Sequence, residues 1–165
     1  MNQKARFEAV YESTRQSVYA YLYRTLGDKA LAEDLFQETY IRFFRAEVSG
    51  LDDAKCRAYL FRIAANLIND HFRREKRKKQ MVEEISADSM ELSGEQTCNE
   101  GVVSALNKLS VQNRNLLWLA YVERFDHVRI GEMLGVGPKS VKVLLYRAKQ
   151  KLAALIEGSG SKKGT

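Results

Sequence analysis

A single proline and two histidines in 165 residues leave this chain with little that interrupts a helix and few ligands for a metal. The lone proline, Pro138, is the one place where a ring fixes the backbone and removes an N–H. With ten glycines beside it there is room for long helices, and an all-α protein is expected. The two cysteines, Cys56 and Cys98, lie in segments of different character and make no disulfide framework. No run approaches the roughly eighteen apolar residues that cross a bilayer, and the opening MNQKARFEAVYES lacks the apolar centre of a signal peptide. A cytoplasmic chain without membrane insertion is expected. Nor is there a phosphate-cradling glycine loop, a CxxC pair, or a serine or cysteine on a strand-to-helix elbow. No cofactor, no metal and no enzymatic activity are expected.

What the chain does have is charge, 29% of residues, with an excess of six positive and a pI near 9.3. That balance suggests an acidic partner, nucleic acid ahead of an anionic membrane, and the clustering of the charge matters more than its total. It clusters at RAYLFRIAANLINDHFRREKRKK, residues 57–79. Leu60, Ile63, Ala64, Leu67 and His71 or Phe72 recur at helical steps and should face a core. The opposite side carries Tyr59, Arg62, Asn66, Asn69, Asp70 and Arg73, an aromatic ring with amides and guanidinium groups suited to bases and phosphates. Arg73, Arg74, Lys76, Arg77, Lys78 and Lys79 follow, opposed only by Glu75. A basic helix end is also what the helix dipole favours, so this run does not by itself separate a solvated end from a binding surface.

Before it stand two further amphipathic patterns. The first, from about residue 4 to 26, runs through Phe7, Val10, Tyr11, Thr14, Val18, Tyr21, Leu22 and Leu26. Gly27 is its expected stop, and Asp28 the N-cap of a second helix that buries Leu31, Leu35, Phe36, Thr39, Phe43 and Phe44. The exposed side of that helix reads Glu33, Asp34, Gln37, Glu38 and Arg42, and a loop over 47–55 leads on. Residues 83–101 then carry Glu83, Glu84, Asp88, Glu91, Glu95 and Glu100 with no lysine or arginine. An acidic tether is the simplest reading; contact with the basic run, or imitation of nucleic acid, is the sharper alternative. Cys98 within it is more simply an inert thiol than a redox sensor.

Four short helical patterns follow: 101–109; a helix capped by Ser110 with Leu116, Leu117, Ala120 and Tyr121 inward; HVRIGEML capped by Asp126; and 139–156 after a turn at Gly135, Val136, Gly137 and Pro138. The span 126–147 has the form of a helix-turn-helix, with Val136 expected to pack between its helices. Its second helix presents Lys139, Ser140, Lys142, Val143, Tyr146 and Arg147, a basic side suited to a major groove. A plain helical hairpin would have a similar turn, but not that outer side. The expected domains are 1–80, an acidic linker 81–100, a four-helix domain 101–157, and a disordered tail 158–165. Glu33, Asp34 and Glu38 as a metal site, or Asp70 with His71 as a nuclease pair, lack further ligands at the right spacing.

Three of these stretches together resemble the extracytoplasmic-function sigma factors of bacterial RNA polymerase. AEDLFQETYIRFFR (32–45) is similar to that family's polymerase-binding helix, and CRAYLFRIAANLINDHFRREKR (56–77) to its promoter-melting and downstream-element segment. The stretch LNKLSVQNRNLLWLAYVERFDHVRIGEMLGVGPKSVKVLLYRAKQKL (106–152) is similar to its terminal helix-turn-helix. The resemblance implies that Asp34, Gln37 and Glu38 dock on a coiled coil of the largest catalytic subunit. It implies that Tyr59, Asn66, Asp70 and Arg73, flanked by Arg62 and Arg74, open the promoter and hold an unpaired base. Lys139, Ser140, Lys142, Val143 and Arg147 then read the upstream element. Implied partners are core RNA polymerase, promoter DNA in duplex and melted form, and an anti-sigma factor. Ser110 replaces the family's usual proline, Gly137 a frequent serine, Tyr59 a frequent tryptophan, and Leu144 an arginine or other polar residue that would touch DNA. A reading of another class is an autonomous, dimeric helix-turn-helix regulator, for which the acidic side at Asp34, Gln37 and Glu38 has no use.

Overall fold

The computed structural model describes residues 2–48, 50–82 and 101–160, with Val82, Ser159 and Gly160 by backbone alone. Every regular element among them is helical, and the chain divides into two compact units, Met1–Leu92 and Ser93–Thr165. The acidic stretch 83–100 and the tail 161–165 lie outside the described residues.

The first unit is a three-helix bundle. Helix α1 (Gln3–Leu26) starts where the Asn2 side chain accepts from the Ala5 N–H at 2.7 Å. It ends at Gly27, whose φ of 71° only glycine adopts without penalty and whose N–H bonds the Tyr23 carbonyl. Asp28 caps α2 (Lys29–Arg45) through the Leu31 N–H, as its position suggested. Asp52 accepts from the Lys55 N–H at 2.8 Å and so starts α3 at Asp53, inside the expected loop. Helix α3 runs on to Val82, because nothing among its basic residues breaks it.

Val18, Tyr21 and Leu22 of α1, Ala32, Leu35 and Phe43 of α2, and Leu60, Phe61, Ala64 and Ile68 of α3 fill the interior. Phe44, expected inside, is 44% exposed, one helical step off the buried line through Thr39 and Phe43. Its ring meets that of Phe7 edge-on, with centroids 5.2 Å apart. Tyr40 takes the inner place instead. Its hydroxyl meets the Thr14 hydroxyl at 2.7 Å, and burial pushes its pKa up to about 12.

In the second unit, α4 (Val102–Lys108) precedes α5 (Val111–Leu117), which Ser110 caps through the Asn113 N–H. Helix α5 then widens into a π-helical turn, Trp118–Val122, closed by the Glu123 N–H on the Trp118 carbonyl. That wider turn rotates the side-chain register, and Tyr121, expected inward, is 50% exposed while Leu119 is buried. Asp126 caps α6 (His127–Leu134), and Gly135 turns the chain at φ 72° toward α7 (Pro138–Gly160). Helix α7 continues four residues past the expected end at 156 and takes in the first three residues, 158–160, of the tail expected to be disordered. Val136 is 36% exposed rather than wedged between the helices. The close approach there is made by backbone: a Cβ on Gly131 would lie 2.5 Å from the Val136 carbonyl oxygen, so only glycine lets the turn fold this tightly against α6.

Arg114 is 4% exposed in the core of this unit, and its guanidinium nitrogens meet no acceptor among the described residues. Burial lowers its pKa from the usual arginine range to about 10. An uncompensated buried cation opposes folding, so Arg114→Met, which keeps the aliphatic length, is expected to stabilise the unit by about 1–4 kcal/mol. The Tm in a thermal melt should rise accordingly. In the wild type, the folded form sheds this proton before the unfolded chain does. Above about pH 10 the unfolded state therefore binds more protons, stability contributed by this group rises with pH, and the advantage of the variant should shrink there.

Candidate nucleic-acid interface

Between Cys56 and Phe72, helix α3 is covered on nearly every side, and from Arg73 on its basic end is exposed save for Glu75. Its buried residues include Leu60, Phe61, Ile63, Ala64, Ala65, Leu67 and Ile68, far more than one amphipathic stripe requires. What stays open is a narrow line at four- and three-residue steps: Arg62, Asn66, Asp70 and Arg73. Tyr59 sits at the edge of this line, half-buried, its ring 6.2 Å from that of Phe43. Asn69, His71 and Phe72 are likewise half-covered. The line is therefore polar and charged, with only the rim of one aromatic ring. Asp70 is loosely held: Arg73 Nη1 lies 3.9 Å from its Oδ1, and Arg74 Nε donates to its backbone carbonyl at 3.5 Å. A carboxylate among amide and guanidinium donors offers both acceptors and donors for base edges, together with cations for phosphate.

On α2, Asp34 and Gln37 are exposed and make no hydrogen bond or ion pair among the described residues. Glu38 differs, because Arg42 Nε donates to its Oε1 at 2.7 Å. The acidic side thus carries two free polar groups and one already engaged. Arg42, which the sequence placed merely on the exposed side, also turns toward α3. It lines one open cleft with Asp70, Arg73, Arg74 and Arg77. Pattern within one helix could not have found that grouping, because its members sit on two helices.

In the second unit, Val141, Leu145 and Ala148 hold α7 to the core, and Lys139, Ser140, Lys142, Val143 and Arg147 all face outward. Leu144 is at the surface beside them. The Tyr146 hydroxyl accepts from Gln150 Nε2 at 2.8 Å, and the Lys149 ammonium lies 4.9 Å from the Tyr121 ring centroid. The outward turn of Tyr121 is thereby occupied. Among the described residues no group of three His, Cys, Asp or Glu is placed to hold a metal, and no helix is long and apolar enough to cross a membrane.

Comparison with known proteins bears on what these two surfaces serve. The profile Sigma-70 region 2 matches residues 10–78, which run from within α1 through α2 into the basic end of α3, and Sigma-70, region 4 matches residues 100–152. The chain belongs to the extracytoplasmic-function sigma factors. It is 29% identical over 161 residues to the ECF RNA polymerase sigma factor BldN of Streptomyces coelicolor, an alignment covering 91% of this chain and 60% of that longer protein. It is 25% identical over 153 residues to the ECF RNA polymerase sigma factor SigM of Bacillus subtilis, covering 90% and 93%. The sigma factor RpoE of Bartonella quintana, solved with the anti-sigma factor NepR, shares the fold with a TM-score of 0.72 at 21% identity, over 92% of this chain and 97% of that one. The present sigma factor accordingly directs RNA polymerase to promoters, and the autonomous regulator is not favoured.

Proposed function

We propose that this sigma factor is a non-catalytic, cytoplasmic initiation subunit whose two units divide the work: the first docks on core RNA polymerase and opens the promoter, the second reads the upstream element. The observation that carries the reading is the open line Arg62, Asn66 and Asp70 on the covered middle of α3, residues 56–72, running at Arg73 into the exposed basic end of the helix. Amide, carboxylate and guanidinium groups in one row offer donors and acceptors to base edges and cations to phosphate. Tyr59 and Arg74 flank that line, and Asp34, Gln37 and Glu38 of α2 supply the docking side. The boundaries of the work are 1–80 and 101–157, with 81–100 as a tether that raises the local concentration of one unit when the other has bound. An anti-sigma factor is the further partner we propose, of the kind with which the Bartonella quintana relative was solved.

Reconstitution with core polymerase tests this directly. Transcription from a cognate promoter should depend on adding the chain; binding of the chain to duplex DNA as a dimer, with no association with core polymerase, would overturn the reading. In the upstream-reading helix, Lys142 lies on the outer side between the buried anchors Val141 and Leu145. Lys142→Ala is expected to weaken holoenzyme binding to the promoter by about 1–3 kcal/mol if the ammonium reads a base. An equal loss on every sequence, with a shallower salt dependence, assigns it to phosphate instead. No change at any salt concentration would mean that α7 does not enter the groove.

A further inference from the structure

Among the described residues two that are not glycine have a left-handed backbone, Glu47 at φ 49° and Arg124 at φ 58°. Arg124 is the one built into a fixed turn. Before it the Glu123 N–H bonds the Trp118 carbonyl at 3.1 Å, after it the Phe125 N–H bonds the Leu119 carbonyl at 3.0 Å, and Phe125 itself is buried. The residue between takes the left-handed conformation that closes the π-helical turn, a place where glycine is the usual occupant because a Cβ costs energy there. Arg124 is exposed, so the side chain that brings this strain adds nothing to the core. A strained residue that does not pack has its use elsewhere.

The charge of Arg124 is not answered within the unit either, for it makes no hydrogen bond or ion pair among the described residues. The acids on either side of it are engaged: Glu123 accepts from Trp118 Nε1 at 3.2 Å, and Asp126 from the Arg129 N–H at 2.8 Å. Arg124 stands just before Asp126, the cap of α6, and in a helix-turn-helix the first helix crosses the DNA backbone while the second enters the groove. The same turn lies beside α7. Tyr121, at most about 11 Å of chain from Arg124, has its ring centroid 4.9 Å from the Lys149 ammonium. Lys142 is on the same side of α7 as Lys149, two helical turns before it. A helix in a major groove about 12 Å wide has a wall of phosphates on either side. A cation on a rigid turn next to that helix meets such a wall, and with its backbone fixed beforehand it loses little freedom on binding.

We infer that Arg124 holds a backbone phosphate of the duplex flanking the upstream element, presented to it by the strained turn between the π-helical turn and α6. This rests on the reading of α7 as the helix that enters the groove, and it adds to that surface a residue from outside the recognition helix. The turn calls for glycine and this chain carries arginine, so the contact belongs to this chain rather than to the fold. Being made to phosphate, it adds affinity on every sequence and specifies none.

The test uses the full chain assembled with core polymerase and a fluorescein-labelled duplex that contains the upstream element and ends before the downstream one, with anisotropy followed over a salt series. Arg124→Gln is expected to weaken binding about three- to tenfold, equally on the cognate and on a scrambled duplex, and to flatten the log–log salt slope by about 0.9, the value for one phosphate contact on duplex DNA. Arg124→Gly is expected to lose the same affinity while its Tm rises by about 2–6 °C, because glycine relieves the strained backbone. Stability and binding then move in opposite directions, which a purely structural arginine would not produce. A fall in Tm with the loss of binding would overturn the contact, as would a loss confined to the cognate sequence with an unchanged slope. Lys142→Ala measured beside them separates the failures. If Lys142→Ala weakens binding and Arg124→Gln does not, the Arg124 contact is overturned and the groove reading of α7 stands; if neither weakens it, both fall.

Discussion

The double variant Asp34→Lys, Glu38→Lys is expected to lose capture by core RNA polymerase altogether while melting at close to the wild-type temperature. Both side chains lie on the outer side of α2, clear of the buried line through Ala32, Leu35, Thr39 and Phe43, so neither change opens a cavity. Within the chain the substitutions break the exposed ion pair between Glu38 and Arg42, worth about 0.3–0.5 kcal/mol. Lysine also suits a helix as well as either acid does. The effect at an interface is of another size. Each reversal removes an attraction and faces a partner surface of complementary sign with a like charge, a juxtaposition that costs several kcal/mol. Two of them exceed what a micromolar complex, with about 8 kcal/mol in all, can lose and still form at working concentrations. A pull-down on immobilised core polymerase, with circular dichroism melts of the same samples, measures both halves. Undiminished capture would remove the docking assignment from α2.

Asn66→Ala is expected to leave polymerase capture and closed-complex formation intact and to deplete strand opening by about 1–3 kcal/mol, roughly five- to 160-fold. The side chain is exposed, one turn from Arg62 and one from Asp70, while Ala65 and Leu67 on either side of it are buried. Truncation therefore removes a donor and an acceptor without disturbing packing. An amide pairs with the edge of an unstacked base, which a duplex does not present in that form. A promoter already melted across the downstream element should not rescue the variant, because the amide acts on the strand itself rather than on the act of separation. Permanganate reactivity of thymines in the melted region reports the outcome. Wild-type reactivity in Asn66→Ala would move the single-strand surface to the loop before α3 or to the basic residues after Arg73.

How much of this was legible beforehand differs from residue to residue. Asp28, Ser110 and Asp126 were readable as caps because a side-chain oxygen three residues before an N–H is a local arrangement, complete within one turn of chain. Gly135 and Pro138 were readable for the same reason. Asp52 was passed over, and with it the true start of α3, since a polar stretch holding several possible caps gives no local ground for choosing one. The outer sides of α2, α3 and α7 followed from helical period, which orders residues around their own axis.

The sequence by itself determined that this protein is helical, where most of its helices begin, which side of each carries charge, and, through three stretches in order, the family to which it belongs. Tertiary structure decided how much of each side a neighbour covers. Phe44 fell outside the core and Tyr40 inside it, Tyr59 was half-covered beside Phe43, and residues 56–72 of α3 were enclosed until one polar line remained. A π-helical turn sent Tyr121 outward, and folding left Arg114 inside without a described partner. It alone brought Arg42 of α2 to the arginines of α3. The physical reason is common to all of these: period and caps are properties of a few consecutive residues, whereas burial and charge clustering depend on distances between helices, which the axis angle and packing of the bundle set.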